Sequence, residues 1–233
     1  MRPLNKNASP IPSGKPSKNS ITPVFSARDG KDDNTTLQWY ADLMDTAKKL
    51  MCITVAFNLD EVFQQVIQKE NDVLRYIVKD DNLGEGEIIG QDKDVIFASG
   101  GYFGYDSLLN FKAEMGNPLN SNDYIHNKFM LIDPLGKDPI VVTGSANFSR
   151  PSQRINDENM LVIRGDTRIA DIYFGEFMRI FDHHYARYIS RLLKEQNKND
   201  PNAGYLKPDK SWSDAHFNPN SYKSKRRKYF LKG

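Results

Sequence analysis

The sequence predicts an α/β fold, a mixed β-sheet flanked by helices, and three observations predict it. Short β-rich apolar runs alternate with stretches of helical periodicity between residues 36 and 98. Three more strand-like runs follow closely between residues 125 and 163. A long amphipathic stretch after Asp166 then closes the core. Strands interleaved with helices define the class.

The first helix is expected over 36–51, where Leu37, Tyr40, Ala41, Met44, Ala47 and Met51 recur at helical spacing. Cys52-Ile53-Thr54-Val55-Ala56-Phe57 reads as a strand, with Cys52 as buried filler. Asp60 is suited to cap a second helix with Val62, Phe63, Val66 and Ile67 on its apolar face. Leu74–Val78 and Asp94–Ala98 read as strands, separated by an Asp/Gly/Glu-rich loop over 80–93. Strands are expected at Ile125–Ile132, Ile140–Thr143 and Asn159–Ile163, with Asp133-Pro134-Leu135-Gly136 as the turn between the first two. Asp166 caps the closing helix, whose stripe runs from Ile169 through Phe177, Phe181 and His184 to Leu192.

Both ends differ in composition from this core. Residues 1–22 are rich in Pro, Ser, Asn and Lys, and read as a disordered linker that buries too little apolar area to offset its ordering entropy. The globular domain is expected over 23–198. Residues 199–233 read as a polar, solvated tail, ending in the basic run Lys223-Ser224-Lys225-Arg226-Arg227-Lys228. That run is also a candidate arm for nucleic acid or an anionic membrane surface.

Composition excludes several classes. With 233 residues, 39% of them hydrophobic, one core can form without staples. A single cysteine excludes an internal disulfide framework and multi-cysteine metal centres. The 32 basic and 30 acidic residues nearly cancel, so bulk charge names no partner. No apolar run approaches the roughly 20 residues of a membrane helix, and the start lacks the apolar core of a signal peptide. A cytoplasmic location is the expectation.

The chemistry concentrates in Ile125-His126-Asn127-Lys128-Phe129-Met130-Leu131-Ile132-Asp133. On a regular strand His126 and Lys128, two apart, share a face. Asp133, at an odd separation from His126, belongs to the other face or to the turn, where stabilising the turn suits it better than partnering His126. Ser145 and Asn147 form a second pair at the end of the next strand, beside Gly144, and Glu158 opens the strand after that. Imidazole, ammonium, hydroxyl, carboxamide and carboxylate together suit displacement at a phosphodiester. His126 can act as nucleophile or general acid, a carboxylate can hold its tautomer, and Lys128 and Asn147 can clamp phosphoryl oxygens.

The pattern H-x-K-x4-D, then G-S-x-N, then glutamate, resembles the signature of the phospholipase D superfamily. It is carried by His126, Lys128, Asp133, Gly144, Ser145, Asn147 and Glu158. The resemblance extends over residues 23–195, and Thr22–Gly30 and Ser211–Phe217 resemble more weakly the C-terminal half of bacterial two-motif members. It implies a phospholipase D-like half-fold and a metal-independent phosphodiesterase working through a covalent phosphohistidine, with no cofactor. Phospholipid is the leading substrate class and nucleic acid the runner-up; a non-catalytic phosphate-binding module is the alternative of another class.

The chain departs from the larger members in carrying one motif. His183, His184 and His216 are not followed by lysine two positions on. The resemblance therefore implies a second motif copy, from a homodimer with two-fold symmetry or from a separate half. Adjacent His183 and His184 diverge by about 100° on a helix and do not form a metal pair. Ser145 lacks the G-x-S-x-G context of a serine nucleophile. Tyr102, Phe103 and Tyr105 are candidates to line a substrate cleft.

Overall fold

The computed structural model describes residues 1–57, 59–80, 94–100, 125–196 and 208–231. Tyr102, Phe103, Tyr105 and all but the first residue of the expected 80–93 loop lie outside them. In chain order the elements are α1 (Arg2–Ala8), β1 (Ser20–Ser26), α2 (Thr35–Asp45), β2 (Leu50–Val55), α3 (Glu61–Ile67), β3 (Leu74–Lys79), β4 (Val95–Ser99), β5 (Phe129–Ile132), β6 (Ile140–Gly144), α4 (Arg150–Arg154), β7 (Glu158–Arg164), α5 (Thr167–Gln196), α6 (Asp214–Phe217) and α7 (Tyr222–Leu231). Among the described residues the strands form one mixed sheet of seven in the order β1-β7-β6-β5-β2-β3-β4. β2, β3 and β4 run parallel, and every other pairing is antiparallel.

Strand alternation divides the core between the two faces. On β5, Met130 and Ile132 join the cluster of Leu37, Tyr40 and Leu43 from α2 and Phe63 from α3. Phe129 and Leu131 join the opposite cluster, with Phe177 and Phe181 from α5. All six residues of β2 are buried, as are all six of β3, Arg75 and Lys79 included, so burial does not alternate along these central strands. Asp60 caps α3 by accepting from the Val62 N–H, and Asp166 caps α5 by accepting from the Ile169 N–H. Among the described residues no helix is long and apolar enough to cross a membrane.

The structure corrects the reading of both ends. The expected linker over 1–22 contains α1 and the start of β1, a sheet-edge strand paired with β7 from Ser20–Arg164 to Ser26–Glu158. This segment buries little apolar surface, but it supplies acceptors. Arg28 donates to the Ser9 carbonyl, Trp39 Nε1 to that of Gly14, and Arg164 to that of Pro16. Arg28 is 4% exposed and Trp39 5%. Buried donors of this kind require partners, and a Pro/Ser/Gly backbone provides them.

The expected fraying tail is also folded from residue 208. α7 lies against the α5 side of the sheet, with Tyr222 and Tyr229 packed on that cluster and Arg226 over the Tyr76 ring at 5.6 Å. Lys225 Nζ reaches the buried Asp94 carboxylate at 2.6 Å, and Arg227 stacks on Phe217 at 4.8 Å. Three of the basic residues expected to form an arm therefore make contacts within the fold.

Two elements are shorter than expected. α2 stops at Asp45 because Asp133 accepts the backbone N–H groups of Lys48, Lys49 and Leu50, which a continuing helix would have directed at its own carbonyls. Regular pairing on β5 begins at Phe129, and the backbone of Ile125 and Asn127 is held by side chains instead.

Candidate active site

Register brings the motif residues to one end of the sheet. β5 is antiparallel to β2, so its start lies where β2 ends. β6 runs back beside it, and the Gly144 N–H reaches the Lys128 carbonyl at 3.4 Å. Gly144 in turn faces Met160 on β7, and Glu158 opposite Ser26 begins that strand. His126, Lys128, Ser145 and Glu158 thus gather at the end where the parallel strands β2–β4 finish, the usual location of a site in an open α/β sheet.

The segment bearing His126 is pinned at three points. Asp80, just past β3, accepts the Ile125 N–H at 2.6 Å. Thr54 of β2 donates to the Asn127 carbonyl at 2.9 Å and accepts from the Phe129 N–H at 3.0 Å. The His126 ring meets Phe57 edge-on, with centroids 6.5 Å apart. Sequence reasoning missed all three partners. For Asp80, its position at the end of a parallel strand was the available signal. Thr54 was hidden in an apolar run.

His126 is exposed, whereas Lys128 is 7% exposed with its ammonium 2.7 Å from the His126 carbonyl. The two residues expected to share a face differ sharply in exposure, and regular strand pairing begins only at Phe129. The Lys128 ammonium is thus tied to the backbone of the residue that carries the exposed imidazole.

The G-S-x-N loop is equally constrained. Ser145 Oγ accepts the Asn159 N–H at 3.0 Å, and the Ser145 N–H donates to the Asn159 carbonyl. The hydroxyl therefore ties β6 to β7. The Asn147 N–H is held by Ser152 of α4, and the Asp60 N–H by the Phe148 carbonyl. Arg150 at the start of α4 pairs with Asp60 and Glu61, locking that loop to α3. Asn147 Oδ1 is buried and has no hydrogen-bond partner among the described residues. Amide oxygen and nitrogen are interchangeable by a flip, so this group can present a donor or an acceptor to a ligand. Glu158 accepts from Asn156 Nδ2 at 3.2 Å.

Asp133 stands apart. It lies at the other end of β5, in left-handed backbone at φ 45°, with its carboxylate taken by three backbone N–H groups. The structure does not bring it to His126. The other described histidines stand on α5 and α6. His184 is 7% exposed, and His183 Nδ1 lies 3.1 Å from Arg187.

A family model described as "Cardiolipin synthase, PLD-like domain" matches residues 40–183. No curated protein sequence matches the chain. Similar solved structures include Nuc, a phospholipase D family member from Salmonella typhimurium, at 18% identity, covering 70% of this chain and 94% of that one, with a TM-score of 0.47. NucT from Helicobacter pylori is 17% identical over 70% of this chain and 96% of its own, with a TM-score of 0.45. Phosphatidylserine synthase from Haemophilus influenzae is 15% identical over 84% of this chain and 50% of its own, at 0.48. The family match spans more than half of the 233 residues and includes every motif position from His126 to Glu158, so the chain belongs to the PLD-like domain family of the phospholipase D superfamily.

Proposed function

We propose that the chain is a phosphodiester hydrolase of phospholipase D type, in which His126 forms a phosphohistidine and a second copy of the motif completes the site. The observation that supports it most is that His126, Lys128, Ser145 and Glu158 lie at one sheet end, through the Lys128–Gly144–Met160 register. In the first step an imidazole nitrogen attacks phosphorus and the P–O bond to the leaving group breaks. A second imidazolium gives that oxygen its proton. In the second step water gives a proton to this imidazole, attacks phosphorus and breaks the N–P bond, restoring His126. Lys128 and Asn147 hold the non-bridging oxygens while charge shifts. Glu158 fixes the tautomer of an imidazole, and Ser145 and Asp133 act on the backbone that carries the others.

One imidazole cannot perform both roles in one displacement, so a homodimer supplies the second His126. Light scattering combined with bis-p-nitrophenyl phosphate turnover in EDTA tests this. The expected result is a mass near twice 26.7 kDa, turnover, and acid-labile phosphate on the enzyme, with turnover and label both lost in His126→Ala. A folded His126→Ala chain that turns over at the wild-type rate rejects the mechanism. Polyanion binding without turnover in the wild type identifies a binding module, and an inactive monomer points to a separate half. Phosphatidylglycerol vesicles and single-stranded DNA then separate the lipid substrate, which we favour, from the nuclease alternative.

A further inference from the structure

The end of the sheet opposite His126 carries a second charged concavity. Lys15, Lys48, Lys49 and Lys137 line a pocket of about 500 Å³, with the Asp133–Asp138 turn as its floor and Tyr229 of α7 as one wall. These lysines come from three separate stretches of chain, and all four are exposed. Lys18 lies close enough to act on Asp138 as well.

Two carboxylates share the pocket, and both are already engaged. Asp133 is taken by three backbone N–H groups, at 2.8 to 3.0 Å. Asp138 is held by the Arg164 guanidinium, whose Nη2 lies at 2.7 Å, and this pairing keeps the carboxyl below its usual range. Among the described residues none of the four ammonium groups has a carboxylate partner. Four ammonium groups around two carboxylates that are already engaged leave the pocket positive, which favours a multivalent anion. The basic run 223–228, by contrast, directs Lys225, Arg226 and Arg227 into the fold.

We infer that this pocket is a second binding site, separate from the catalytic end, for a ligand bearing several phosphate groups. Its separation from His126 is about seven near-extended residues, roughly 20 Å, so one small substrate does not span both. Exposed lysines on long flexible stems suit clustered phosphoryl oxygens, which each ammonium can approach as a point charge. A soluble polyphosphorylated molecule and a phosphorylated lipid headgroup offer the same chemistry.

The test uses the full chain and two double variants with the same change in net charge. Lys48→Glu/Lys137→Glu alters the pocket, and Lys31→Glu/Lys210→Glu alters exposed lysines outside it. All four positions are solvent-exposed, so the fold tolerates them. Calorimetric titration with inorganic tripolyphosphate at low salt is expected to show binding that weakens about 100-fold in the pocket variant and under about threefold in the control. Bis-p-nitrophenyl phosphate turnover and melting temperature, read on the same samples, are expected to stay unchanged, which keeps this result independent of the catalytic proposal. Sedimentation with phosphatidylcholine vesicles containing phosphatidic acid forms the second arm. Vesicle binding lost only in the pocket variant names a lipid headgroup as the source, and binding confined to tripolyphosphate names a soluble ligand. Absence of binding to both probes, or equal weakening in the two double variants, overturns the inference.

Discussion

Replacing Asp133 separates a catalytic from an architectural carboxylate in the H-x-K-x4-D motif. Its side chain accepts the Lys48, Lys49 and Leu50 N–H groups at 2.9, 2.8 and 3.0 Å. The Leu50 bond is partly buried, and a charge-assisted bond there contributes about 1.5–3 kcal/mol. The other two donors are exposed and contribute about 0.5–1 kcal/mol each. Residue 133 also sits at φ 45°, which Asp and Asn tolerate and Ala does not, adding about 1 kcal/mol against alanine. Asp133→Ala is therefore expected to lose about 3.5–6 kcal/mol, and Asp133→Asn, which keeps the backbone preference and one acceptor, about 1–3 kcal/mol. For a chain of this size that lowers the melting temperature of the alanine variant by about 10 °C. Urea denaturation measures the loss, and turnover normalised to folded protein measures the role. The expected outcome is a destabilised Asn variant with near wild-type turnover per folded molecule. An Asn variant as stable as wild type refutes the hydrogen-bond argument. A fully folded Asn variant without turnover refutes the architectural assignment.

Three other outcomes follow from the same reasoning. Gly144→Ala places a Cβ 2.1 Å from the Asn159 carbonyl oxygen and 2.8 Å from the Met160 Cα, at φ 157°, so β6 and β7 must separate. A loss of about 3 kcal/mol or more is expected by denaturant titration. Lys225→Ala removes the cation at 2.6 Å from an Asp94 side chain only 6% exposed, and is expected to lose about 2–4 kcal/mol. A double-mutant cycle with Asp94→Asn should show coupling above 1 kcal/mol, as roughly expected for a buried pair. Stability is expected to hold from neutral pH down to about 5 and to fall below about 4. The Arg164 guanidinium holds Asp138 low, and the Thr35 hydroxyl, followed by Lys6, holds Asp33 low. Carboxyls depressed in the fold stabilise it above their unfolded pKa and lose that contribution as they protonate. Arg164→Ala is expected to flatten the acid limb in urea melts across pH 2–6, and an unchanged limb counts against that linkage.

Local chemistry made much of this protein legible from sequence alone. The strands read at 52–57, 74–78 and 94–98 fall within two residues of β2, β3 and β4 because β-branched and aromatic residues crowd them, and Asp60 and Asp166 mark helix starts because an Asx side chain satisfies a free N–H. The H-x-K, G-S-x-N and glutamate spacing identified the family and the end of the chain's chemistry that matters. Long-range partners were not legible, because they depend on which groups the fold leaves unsatisfied. Asp133 ends α2 from 83 residues away. Asp80 holds the residue before His126 from 45 residues away. The Pro/Ser-rich start and the basic finish read as solvated by composition, yet both are folded against the core. Buried Arg28 and Trp39 needed carbonyls, and buried Asp94 gained a cation in Lys225. Sequence identified the family and placed the central strands and helices between about residues 36 and 196, though not the elements at the two ends. Only the tertiary structure decided that Lys128 is buried beside the His126 carbonyl, that the Asp133 carboxylate takes the N–H groups of residues 48–50, and that lysines 15, 48, 49 and 137 line one pocket. Those facts follow from burial and register, which no local window contains.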